Sequence, residues 1–126
     1  MRMGFIATGV ILILVILLLF FTHFLETTVN KVISGIEKTE NLLIENNIKE
    51  AEKSFIKAKK TWDNNERIYK LQIEHSELDK INELFSDLEA YFENKGNEEF
   101  LKNSHTLKYF LSNLVLKNKV SLETIL

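Results

Sequence analysis

Phe5–Phe21 reads FIATGVILILVILLLFF, seventeen residues without a charge, and after Thr22 and His23 the apolar character resumes at Phe24 and Leu25. As a helix rising ~1.5 Å per residue, Phe5 to Leu25 spans about 31 Å, close to the thickness of a hydrocarbon core. Fourteen of the seventeen are Phe, Ile, Leu or Val. At ~0.3–0.6 kcal/mol each, they favour insertion by about 4–8 kcal/mol, and no charge in the run offsets this. The expectation is an N-terminal membrane anchor over residues 1–25, meeting the lipid bilayer through residues 5–25.

Three rival readings fit less well. A cleaved signal peptide needs small residues three and one before the cut, and Thr22 with Phe24 or Glu26 with Thr28 do not supply them. A lipoprotein signal needs a cysteine, and the chain has none. Gly4-Phe5 is similar to the cleavage point of type IV pilins, but Gly9 stands where that pattern has Glu. Orientation rests on a weak asymmetry: Arg2 abuts the apolar run on one side, while Glu26 is the first residue beyond it on the other. Lys31 and Lys38 also fall within the ~15–20 residues over which the positive-inside rule is counted. We therefore expect the N-terminus inside and the body outside.

The remaining residues, 26–126, are enough for one domain. The absence of Pro, four Gly and 45% apolar residues suit helices joined by short turns. The lack of Cys excludes disulfides, cysteine nucleophiles and cysteine-ligated zinc. All eighteen acidic residues and fifteen of the sixteen basic ones follow Leu25, leaving the body at net −3. That balance argues against nucleic acid as a partner, because neutralising phosphates takes a basic surface.

Periodicity divides the body into helices. Val29, Val32, Ile33, Ile36 and Leu43 form a stripe from Thr27 to about Asn46, with Gly35 as a candidate bend and no Pro to separate this helix from the anchor. Asn46-Asn47 reads as a turn. Ile48, Ala51, Phe55, Ala58 and Trp62 hold heptad positions in a second helix ending near Asp63-Asn64-Asn65. A third segment, Glu66–Asn94, carries Ile68, Leu71, Leu78, Ile81, Phe85, Leu88 and Phe92 inward. Ser76 and Asp79 resemble a capping box that would restart it. Gly96 would end that segment, Asn97 would cap a fourth helix, and Asn118-Lys119 would break it. The expected fold is all-α, an N-terminal transmembrane helix followed by an antiparallel three- to four-helix bundle. Because Glu74–Glu99 holds nine carboxylates and two lysines, the acidic third helix should lie between the lysine-rich second and fourth.

Two groups of residues could carry chemistry. His75 and Asp79 are four apart on one helical face, a spacing that could place an imidazole and a carboxylate on one metal, with His105 as a further ligand. The simpler reading is a solvated acidic face, since no HExxH-type spacing is present. Lys49, Lys53, Lys57 and Lys60, with Lys59 and Trp62 nearby, form a surface that could meet anionic headgroups or polymers. The simpler reading there is an ordinary solvated face with Trp62 in the core. No phosphate loop, nucleophile elbow or Cys–His pair occurs, so we expect neither an enzyme nor a cofactor.

Trp62, the run HSELDKI from His75 to Ile81, and the terminal Ile125-Leu126 together resemble a family of small membrane-anchored proteins. This is the family termed domain of unknown function 4363, found mainly in anaerobic spore-forming Gram-positive bacteria. Glu123-Thr124 departs from its pattern, where Asn before the terminal Ile-Leu is more usual. The resemblance implies no known activity. The expected role is a non-enzymatic interaction or structural module at the outer membrane face, partnered by another membrane or envelope protein. The alternative is a ligand- or metal-binding sensor-like bundle using His75 and Asp79.

Overall fold

A computed structural model describes residues 2–94 and 96–125, with the side chains of Ser121, Leu122 and Ile125 left aside. It contains α1 (Arg2–Ile44), α2 (Ile48–Tyr69), α3 (His75–Asn94) and α4 (Asn97–Ile125), and no strand among the described residues. The all-α expectation therefore holds.

The N-terminal apolar segment and the first bundle helix are one unbroken α1 of 43 residues. Its threonines do not interrupt it, because each hydroxyl turns back onto the preceding turn: Thr8 donates to Gly4 O, Thr22 to Leu18 O and Thr27 to His23 O, all at 2.8 Å. The two halves of α1 differ in what surrounds them. From Met3 to Phe20 the large apolar side chains stand uncovered apart from the half-buried Val15, and the most apolar 18-residue window has mean hydropathy 3.0 with none of it buried. This helix is long and apolar enough to cross a membrane. From Thr22 onward a heptad stripe is buried instead: Leu25, Val29, Val32, Ile36, Thr39 and Leu43.

Asn46 turns the chain. It adopts φ 67°, the left-handed conformation Asn tolerates better than most residues. Its N–H bonds Leu43 O at 3.0 Å while Asn47 N–H bonds Leu42 O at 2.9 Å, satisfying two carbonyls that the helix end would strand.

The expected break at Asp63–Asn65 does not occur. The α2 heptad continues past Trp62 through Asn65 to Tyr69, and burial of the Tyr69 ring outweighs the local turn preference of the asparagines. Asn65 Nδ2 instead bonds Thr61 O at 2.8 Å within the helix. The break falls at Lys70–Glu74, which divides the expected third segment, leaves Leu71 exposed rather than on the inner stripe, and buries Ile73. Glu74, not Ser76, starts α3: its carbonyl accepts the N–H groups of Glu77 and Leu78. Gly96 does close α3, its N–H on Tyr91 O at 3.2 Å, but without a positive φ. Its own carbonyl accepts Phe100 N–H, so Asn97 is the first residue of α4 rather than its cap. Asn118-Lys119 does not break α4 either. Asn118 occupies the heptad slot after Phe100, Ser104, Leu107, Leu111 and Leu114, and its Nδ2 is buried without a partner.

In cross-section α1 packs against both α2 and α4, and α3 against α4. The α2 and α3 backbones stand farther apart, and aromatic rings fill the interval. Trp62 stacks on Phe85 with centroids 6.1 Å apart, and Phe55 contacts Phe85 at 6.1 Å and Phe92 at 5.5 Å. The acidic α3 thus does lie between the basic helices, with Lys59 of α2 at 3.4 Å from Glu89 and Lys117 of α4 bonded to Glu77. Such exposed pairs select neighbours more than they stabilise the bundle.

Gly35 is a contact rather than a bend. A Cβ there would lie 2.9 Å from Ala58 Cβ, so the missing side chain is what lets α1 and α2 approach. Ser54 Oγ reaches across from α2 to Gly35 O at 3.2 Å.

Candidate functional site

The close approach at Gly35 and Ala58 forms the floor of an open groove of about 410 Å³ between α1 and α2. Lys31 and Lys38 project from α1 at its edge, and Lys53 and Lys57 from α2. The one carboxylate lining it is Glu50, 3.5 Å from Lys53 in an exposed pair. The rim therefore carries a net positive charge on a body that is acidic overall. Chemically it suits a carboxylate- or phosphate-bearing surface, held by several ammonium groups over a small-residue floor. Of the lysines expected from sequence to form an interaction surface, Lys53 and Lys57 line this groove, while Lys49 and Lys60 stand exposed on α2 outside its lining. Trp62 is fully buried, donating from Nε1 to Asn82 Oδ1 at 2.8 Å. Asn82 in turn donates to Glu66 at 2.9 Å.

His75 and Asp79 lie one turn apart at the start of α3, both exposed. Glu77 between them is drawn to Lys117, whose ammonium its carboxylate holds above the usual lysine range. His105 does not join them. It sits 3.8 Å from Glu40 on α1, twelve residues along α4 from the lysine that meets Glu77, or about 18 Å of helix. Among the described residues no group of three or more His, Asp or Glu is arranged to hold a metal.

A second polar cluster is invisible to helical patterning. Glu40, buried on α1, lies 2.6 Å from Lys108 Nζ and 2.7 Å from Ser104 Oγ, both on α4. Burying a carboxylate is costly unless it is paired and hydrogen-bonded, and here it is both. The available signal was Ser104 in a heptad slot between Phe100 and Leu107, but nothing in the sequence names its partner 64 residues away. Farther down, Lys119 meets Glu26 at 2.8 Å. These two pairs fix the antiparallel register of α4 on α1.

A family model described as Domain of unknown function (DUF4363) matches residues 19–125. The chain belongs to this family. The DUF4363 match covers the whole bundle, beginning near the end of the uncovered apolar segment and running to the end of α4. No curated protein and no solved structure matches the chain.

Proposed function

We propose that this DUF4363 protein is a single-pass, membrane-anchored and non-enzymatic interaction module that presents the α1–α2 groove to another membrane or envelope protein at the outer face of the membrane. The observation that carries the reading is the continuity of α1. One helix supplies the segment long enough to span a bilayer and then one wall of both the core and the groove. A partner on that groove would be held at a set distance and angle from the membrane. The basic rim favours a partner with an acidic face. The setting we propose, the envelope of a spore-forming Gram-positive bacterium, is supported by the family resemblance and not by the fold.

Two experiments test this reading. The chain lacks cysteine, so Glu98→Cys, exposed at the distal end of the bundle, reports topology through an impermeant maleimide on intact cells. Labelling before lysis is expected, and labelling only after lysis would turn the bundle inward. A photo-crosslinking residue at Lys57 should then yield a discrete protein adduct that the same residue at exposed Lys102 on α4 does not. Equal adducts from both positions, or none from Lys57, would remove the groove from the proposal.

A further inference from the structure

The membrane-proximal end of the bundle carries apolar side chains that stand exposed among the described residues. We propose that this end is seated in the bilayer interface, with the α2–α3 turn and the C-terminal part of α4 touching lipid beside α1. The inference rests on α1 being a membrane anchor.

The placement follows from register. Glu40 meets Lys108 and Glu26 meets Lys119, so α4 descends α1 toward its apolar half. It continues from Lys119 to Ile125. Six residues are about 9 Å of helix, which brings its end level with Phe20, where α1 is still uncovered and apolar. The α2–α3 turn lies about 7 Å above that level: Gln72 and Ile73 line a cavity of about 230 Å³ together with Leu25 of α1 and Asn118 of α4. Around this end Leu71 is 77% exposed, Leu116 60% and Val120 53%. The lipid-facing surface of α1 runs directly into this level, so the occupant that continues with it is the bilayer rather than a second protein. Lys117 and Lys119 flank the apolar positions; their ammonium groups pair with Glu77 and Glu26, which neutralises the carboxylates at this level while the alkyl stems lie along the apolar surface.

The test uses the full chain in phosphatidylcholine–phosphatidylglycerol vesicles, with a nitroxide on single cysteines at Leu71, Val120, Ile13 and Ile44. Ile13 lies in the apolar run, and Ile44, 71% exposed, lies at the opposite end of the bundle. Accessibility to oxygen relative to a water-soluble nickel chelate should be several-fold higher at Leu71→Cys and Val120→Cys than at Ile44→Cys. If both read like Ile44 while Ile13→Cys reads as lipid, the seating is wrong and the anchor stands. If Ile13→Cys is also in water, the anchor itself is wrong. Shielding of Leu71→Cys and Val120→Cys from both agents would mean that protein covers this end, which also overturns the proposal.

Discussion

The two flanks of α2 solve the same packing problem in opposite ways. Toward α1 the contact is made by removing atoms: Gly35 faces Ala58, the backbones close up and an open groove is left at the surface. Toward α3 it is made by adding them, with Trp62, Phe55, Phe85 and Phe92 filling a wider interval. The first flank is therefore sensitive to any added volume and the second to any lost volume.

Trp62→Ala should break the wide flank with the largest effect, about 3–5 kcal/mol, because it opens a cavity and strands the Asn82 carbonyl. Denaturant unfolding of the reconstituted protein, followed by helix content, measures it. A loss below about 1 kcal/mol would mean that the rings do not form a packed core. Gly35→Ala should break the close flank by about 1–3 kcal/mol through overpacking. Ala58→Gly in the same chain should recover part of that loss, and the double-mutant cycle reads the coupling directly.

Tyr69 joins the two flanks. Its ring lies 4.7 Å from Trp62, and its hydroxyl donates to Thr28 Oγ1 at 2.6 Å, which donates in turn to Phe24 O. Tyr69→Phe should cost about 0.5–1.5 kcal/mol at neutral pH, the usual net value of one such hydrogen bond. Burial raises the Tyr69 pKa above its ordinary 10.0, partly opposed by the bond to Thr28. Its folded pKa exceeding the unfolded one, the neutral hydroxyl's contribution is complete below about pH 10 and is lost as pH rises through the folded value. Tyr69→Phe should accordingly flatten the alkaline fall in melting temperature; an unchanged fall would assign it to other groups. The smallest effect is expected for Lys59→Ala, which removes pairs with Glu89 and Asp63 that are exposed on the acid side, at about 0–1 kcal/mol.

The same contrast explains what could be read in the chain. Apolar residues at three and four announced every helix, and the length of Phe5–Leu25 announced a helix long and apolar enough to cross a membrane. The breaks were harder, because Asn64-Asn65 and Asn118-Lys119 have local turn preferences that a continued heptad overrides through Tyr69 and the α1 contacts of α4. The groove was half legible. Lys53 and Lys57 stand out as a lysine row, whereas Lys31 and Lys38 join them only once Gly35 brings the helices together. Glu40 was hidden because a buried charge is recognised by its partners, and those lie on the last helix.

The position of α1 also sets an order of assembly. It is made first, yet its stripe faces both α2 and α4, and Glu40 waits for Ser104 across 64 residues of chain. A ribosome would therefore have to deliver nearly the whole polypeptide before the core could close. Until then the nascent body stays open; in the topology proposed above it could thread a translocation channel in that state, and completion of the fold on the far side would oppose its return.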